Sequence, residues 1–400
     1  MAWRNWREWG PGWGDWRRPG EWTWRNWATV SLVAVAFFVL LASARGPGPN
    51  TPRTKSVSWG PFHGQSIKNR GFEVLGFYVK GAVEPKGATE PIGSWPAFER
   101  YVSMLNVVSP FWYSAKPDGT VVGEPEPRVI DLARKHGVRV IPLVNNAKVG
   151  GGLDQRTEND RFLRNPAARA RAIDQLVAIV KRHNYDGINV DFQLISPQAR
   201  DGLTAFVRDL AARLHPMGKE VHVDVIPEAN VPDVLHRAFD YGALGRFADR
   251  VILMTYDEHS GESTPPGPVA NLPWVERNIR FALGYVPKNK LSLGVAVYGY
   301  DWPIPSSKGT VQELSAKRAE ATAREVGVPI RRTRTGAIPN ITYTRNGVTR
   351  SAWWEDATSA RKKVDLAQKY DLRGISVWRL GFEDRGFWKM IEEKTGRPLR

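Results

Sequence analysis

The run Tyr185-Asp186-Gly187-Ile188-Asn189-Val190-Asp191-Phe192-Gln193 decides the architecture of this chain. After a glycine, polar residues Asn189, Asp191 and Gln193 alternate with apolar ones, which is the period-two signature of a strand. With a carboxylate and an amide at its end, the pattern predicts a buried parallel strand whose C-terminal end opens into a site. Outward from it, in both directions from Phe72, short apolar runs alternate with amphipathic stretches. Eight strands are predicted: Val74–Val79, Leu105–Trp112, Val138–Val144, Gly187–Gln193, Val221–Ile226, Arg250–Tyr256, Leu291–Tyr298 and Gly374–Trp378. Between them, Pro127–His136, Pro166–Arg182, Ser196–Leu214 and Ala357–Tyr370 carry 3.6-residue apolar periodicity.

Strand and helix in alternation, with near-continuous apolar strands, imply parallel strands covered by helices, and eight repeats imply closure into a (β/α)8 TIM barrel. An open doubly wound sheet is the alternative. It is set aside because no glycine-rich phosphate turn follows the first strand, where Tyr78-Val79-Lys80-Gly81 stands alone. Residues 303–354 break the alternation with a helix expected around Val311–Val326 and a hairpin turning at Asn346-Gly347. This is read as a small α+β insertion between strands 7 and 8, walling one side of a groove on the C-terminal face.

The 400 residues fit one large domain, residues 71–400, plus an N-terminal extension. The chain has no cysteine, which excludes disulfides, thiolate metal sites and cysteine nucleophiles. His183, His215 and His222 lack a second ligand at metal-like spacing and read as structural, so neither metal nor other cofactor is expected. The formal charge of +16 is spread along the chain, with one local run at Arg331-Arg332-Thr333-Arg334. Such dispersion gives a basic surface without the motif of a nucleic-acid module.

Residues 1–27 hold eight tryptophans among Arg, Gly and Pro. This tail is read either as lying on a bilayer surface or as a low-complexity segment. Ala28–Ala44 are 17 residues without charge, about 25 Å as a helix at ~1.5 Å per residue. They serve as a transmembrane anchor or, given Ala42-Ser43-Ala44 at their end, as a cleaved signal. Residues 45–70 read as a linker, and the domain that follows is expected outside the cytoplasm, in the cell envelope or secreted.

Four motifs in order carry a resemblance: Asp186-Gly187-Ile188-Asn189-Val190-Asp191-Phe192, Met254-Thr255-Tyr256-Asp257, Tyr298-Gly299-Tyr300-Asp301-Trp302 and Gly374-Ile375-Ser376-Val377-Trp378-Arg379-Leu380-Gly381. Together they resemble glycoside hydrolase family 18 over about Gly71–Ile391. Thr255-Tyr256-Asp257-Glu258-His259, with Pro265-Pro266-Gly267-Pro268-Val269 downstream, is most similar to its bacterial spore-cortex and cell-wall branch. The resemblance implies a barrel acting next to an N-acetylglucosamine unit, with the substrate's own acetamido oxygen attacking the anomeric carbon. It further implies that Asp191 orients and stabilises that acetamido group, that Tyr256 hydrogen-bonds it, and that Asp257 lines the site. Trp378 would be the floor on which the sugar stacks; Asp186, Asn189, Glu228 and Tyr298 complete the expected binding set. The roles of Asp191 and Trp378 also follow from their chemistry, since a cationic intermediate needs an anion in a dry pocket and a sugar face needs an aromatic platform.

The same resemblance places a glutamic acid, the proton donor, where Gln193 stands. An amide cannot donate that proton, and a positioned general acid contributes ~10² to 10⁴ in rate. Gln keeps the shape and hydrogen bonds of Glu, so binding can survive while turnover fails. Three readings follow. The protein is a non-catalytic, chitinase-like binder of an N-acetylglucosamine polymer such as peptidoglycan or chitin; or it hydrolyses with another acid, Glu228 first and Glu258 behind it; or it is an envelope scaffold that binds no glycan.

Overall fold

The computed structural model describes residues 71–81, 93–146, 152–229, 231, 233–261 and 265–398. The tryptophan-rich tail, the apolar stretch Ala28–Ala44 and the linker expected ahead of the barrel lie outside the described residues. Among the described residues no helix is long and apolar enough to cross a membrane.

Eight parallel strands close on themselves: β1 (Glu73–Tyr78), β2 (Val107–Ala115), β3 (Leu143–Asn145), β4 (Gly187–Asp191), β5 (Glu220–Val225), β6 (Arg250–Leu253), β7 (Leu291–Ala296) and β8 (Gly374–Trp378). Each pairs with the next, and β8 pairs with β1 through Glu73 opposite Gly374 to complete the ring. The TIM barrel expected from the alternation is the observed architecture. Strand 3 is shorter than its apolar run because Pro142, with no N–H to give, divides Arg139–Val140 from Leu143–Asn145. β4 and β6 likewise stop at Asp191 and Leu253, where the chain leaves the ladder to form the mouth.

The strand face turned toward the helices is apolar, as at Ile188, Val190, Val221 and Val223, which join the large core under Leu176, Val180, Phe206 and Leu210. The barrel interior divides in two. Leu75, Phe77, Val107, Ile141, Leu143 and Ile252 form an apolar half from β1, β2, β6 and the third-strand segment. Asn189, Asp191, His222 and Asp224 form a polar half on β4 and β5. Helices begin where the sequence offers caps. Asn165 accepts from the Ala167 and Ala168 N–H groups ahead of Pro166–His183, and Asp356 and Ser359 make a reciprocal capping box for Ala357–Lys369.

The insertion is larger than its sequence pattern. It contains the expected hairpin, Pro339–Arg345 against Val348–Trp354, turning at Asn346 (φ 52°) and Gly347 (φ 73°). Tyr298–Ile304, which continues the apolar run of β7, instead leaves the barrel and joins the hairpin in a five-stranded antiparallel sheet. Within the span expected as helix, Gln312–Ser315 is a strand and the helix is Ala316–Val326, with the Ser315 side chain as its cap.

Candidate active site

At the C-terminal end of β4, Asp191 is 6% exposed and accepts a hydrogen bond from Gln193 Nε2 at 2.7 Å. The same amide lies 3.8 Å from Met254 Sδ. Burial pushes the Asp191 carboxyl up to about 6, and the Gln193 hydrogen bond pulls the other way.

The backbone of Gln193 is clamped from two directions. Asn146 accepts from its N–H at 2.9 Å and donates to its carbonyl at 2.8 Å, so a side-chain amide acts as one further rung between β3 and β4. Asn159, from the helix Gly152–Arg164, donates to the Gln193 and Leu194 carbonyls at 3.2 and 3.1 Å. That pair of bonds holds Leu194 at φ 49°, a left-handed conformation costly for a leucine. Neither asparagine was singled out from the sequence, where nothing separates a clamp from an ordinary loop amide.

One residue deeper on the inward face, Asn189 donates to Asp224 Oδ2 at 3.0 Å and lies 3.4 Å from Ser109 Oγ. Asp224, on β5, was also missed. Its signal was present: His222 and Asp224 alternate inward on an apolar strand as Asn189 and Asp191 do. Burial and the neighbouring Asp191 push the Asp224 carboxyl well above its ordinary range.

Beyond β6, Tyr256 is half-buried near Asp224, Asp191 and Asp257, and desolvation of its hydroxyl and those carboxylates push that hydroxyl well up. Its ring stacks beside Trp378 with centroids 6.4 Å apart and planes 23° from parallel. Gly294 on β7 makes room for it, since a Cβ there would lie 2.9 Å from Tyr256 Cε1. The half-buried Trp378 also meets the Phe77 edge at 5.3 Å. Asp257, at φ 60°, accepts from Tyr298 at 2.6 Å and Tyr300 at 3.0 Å; burial pushes its carboxyl up to about 7 against both bonds.

The structure thus brings Asn189, Asp191, Gln193, Tyr256, Asp257, Tyr298 and Trp378 to one mouth. It places Asp186 elsewhere. Asp186 sits at the N-terminal end of β4, where its carboxylate accepts the Val140 N–H at 2.8 Å and ties the sheet together. Glu228 follows β5, where its N–H donates to Asn278 Oδ1 at 2.9 Å, and its charge pushes the Tyr241 hydroxyl further up after burial. Glu258, the other substitute acid, accepts the Asn271 N–H at 2.8 Å; burial pushes its carboxyl up to about 7 against that bond and the charges of Arg277 and Lys363. Among the described residues no group of three or more His, Cys, Asp or Glu is arranged to hold a metal ion.

Residues 127–383 match the profile of the glycosyl hydrolases family 18. The chain belongs to that family. Among its relatives is the putative sporulation-specific glycosylase YdhD of Bacillus subtilis, 29% identical over 88% of this chain and 82% of that protein. Two solved family members superpose closely. The spore cortex-lytic enzyme SleL of Bacillus cereus matches with a TM-score of 0.72, 25% identity, and coverage of 81% of this chain and 74% of that one. A chitinase from Chromobacterium violaceum matches with a TM-score of 0.70, 27% identity, and coverage of 80% and 98%. As a family 18 protein the chain has a glycan-binding or glycan-hydrolysing role.

Proposed function

We propose that this family 18 protein recognises β-1,4-linked N-acetylglucosamine polysaccharide, of peptidoglycan or chitin type, and that its hydrolysis is lost or strongly impaired because Gln193 stands at the proton donor's position. The observation that carries this reading is the 2.7 Å hydrogen bond from Gln193 Nε2 to Asp191. It puts an amide, which has no proton to transfer, against the carboxylate that orients the acetamido group, while Tyr256, Asp257 and Trp378 stand around it. Cortex-lytic and chitinase relatives support the glycan class. The Asn271 N–H already engages the Glu258 carboxylate, which argues against that residue as the substitute acid. Export or anchoring in the envelope belongs to the same proposal and rests on the composition of residues 1–44.

The test is reducing-end release from chitooligosaccharides and peptidoglycan by the full-length chain and by Gln193→Glu. The parent binds without cleaving, and the variant gains a rate ~10² to 10⁴ above it. Cleavage by the parent at a rate the variant does not exceed overturns the reading.

A further inference from the structure

Two carboxylates, Asp191 and Asp224, share the polar half of the barrel interior, 6% and 2% exposed, on adjacent strands. Asn189 stands beside them and gives its amide N–H to Asp224 Oδ2. Among the described residues, every titratable group acting on or acted on by Asp224 is an acid or a neutral hydroxyl: Asp191 from β4, and Tyr256 from the end of β6. His222, below it on β5, turns its Nε2 to Glu220 at 3.0 Å. Arg250, opposite His222 in the β5–β6 register, turns away to Glu73 at 2.8 Å.

With no cation beside them among the described residues, two buried carboxylates on paired strands do not both ionise. Asp191 lies nearer the solvent and receives the Gln193 amide, so it holds the charge; Asp224, deeper and with one amide donor, holds the proton. Two orphaned atoms agree with a proton here. Asn189 Oδ1 and Asp224 Oδ1 are both buried acceptors without a protein partner, and protonation turns one acceptor of this crowded pocket into a donor.

We propose that Asp224 is a positioning residue of the glycan site: through Asn189 it keeps Asp191 the sole anion of the pocket, and its ionisation sets the alkaline limit of glycan binding. The inference rests on the glycan reading above and adds a residue that touches no sugar. Below the limit, Asp191 alone is charged and Asn189 is held by a neutral acid. Above it, a second anion appears beside Asp191, the pocket repels itself, and the acetamido group loses its fixed partner.

The experiment is calorimetric titration of the full-length chain with the pentamer of N-acetylglucosamine across neutral to alkaline pH, for the parent, Asp224→Asn and Asp224→Ala. An amide reproduces the neutral acid and cannot ionise. Asp224→Asn therefore binds within about threefold of the parent at neutral pH and lacks the alkaline fall, which in the parent is at most about tenfold per pH unit for one proton. Asp224→Ala removes the acceptor of Asn189 and binds roughly tenfold more weakly. Infrared spectra supply a readout that a purely structural residue would not move. The difference spectrum of the parent against Asp224→Ala isolates the carbonyl band of the Asp224 acid from those of other protonated carboxyls such as Asp257; that band is missing from Asp224→Asn and disappears from the parent at the same midpoint as its affinity. Should Asp224→Asn not fold, that coincidence of midpoints in the parent decides the matter. An alkaline fall unchanged in Asp224→Asn, or an acid band and an affinity that titrate apart, overturns this inference and leaves the glycan reading standing. A parent that binds no pentamer at any pH overturns both.

Discussion

The two ends of the barrel bury carboxylates equally well and treat them in opposite ways. At the N-terminal end, Glu73 meets Arg139, Arg250 and Arg373, and Glu220 meets Arg139 and His222. At the mouth, among the described residues, Asp191, Asp224 and Asp257 take their hydrogen bonds from amides and hydroxyls, and the charges acting on Asp224 and Asp257 are other carboxylates, Asp191 and Glu313. The distance along β5 from Glu220 to Asp224 is four residues, about 13 Å. Burial raises every one of these carboxyls, but at the base Arg250, Arg139, His222 and Arg373 overcome it and bring Glu73 down to about 2. At the mouth nothing overcomes it. The base is a structural ion network, whereas the mouth stores electrostatic cost, the usual mark of a site that meets a ligand.

Removing a charge should therefore cost stability at one end and add it at the other. The largest expected effect is Glu73→Gln, which leaves the base guanidinium groups short of their shared anion and costs about 3–5 kcal/mol in urea unfolding. The Glu73 carboxyl is lowered on folding, so its contribution is complete above the ordinary glutamate pKa of 4.5 and fades as pH falls toward about 2. The variant should lose that part of the acid slope. A variant as stable as the parent would erase the distinction between the two ends.

Asp191→Asn is the opposite case. Its carboxyl rises from 3.8 to about 6 on folding, so the native state holds a proton that the unfolded chain releases, and stability falls as pH climbs through that window. Two units at ~1.36 kcal/mol each make the variant more stable by up to about 3 kcal/mol at pH 8, with no advantage below pH ~4. Calorimetric melting at the two pH values checks this, and the same variant should lose glycan binding. A variant less stable than the parent at pH 8 would mean that the mouth is compensated after all.

The smallest effect is Tyr298→Phe, which takes one of two hydroxyls from Asp257 and moves its titration from about 7 further up, by about one pH unit. Carbon NMR of the aspartate carboxyls follows that shift. An unmoved titration would show that the hydroxyl bond does not temper burial there.

What the sequence by itself determined is the repeating part of the protein. Period-two strands and 3.6-residue helices are local properties of the chain, and eight of each leave few arrangements besides a closed barrel. Asn346-Gly347 announced its hairpin for the same reason, since only a few residue types accept two positive φ angles in succession. Motif order carried Asp191, Gln193, Tyr256, Asp257, Tyr298 and Trp378 to one mouth because each stands at or just beyond a strand end.

Tertiary structure decided what depends on neighbours far apart in the chain. Asp186 and Asp191 belong to one motif, yet four residues of extended strand separate them and only one reaches the mouth. Tyr298–Ile304 is apolar enough to prolong β7 and leaves it because Trp354 and its hairpin offer another edge. Asn146 and Asn159 carry no local signature, and the alternation that marks Asp224 does not say what it will face; a clamp on Gln193, or a second acid beside Asp191, exists only once β3, β4 and β5 lie side by side. Burial and pairing set the charge of each carboxylate, and both are properties of the folded packing, not of the residue.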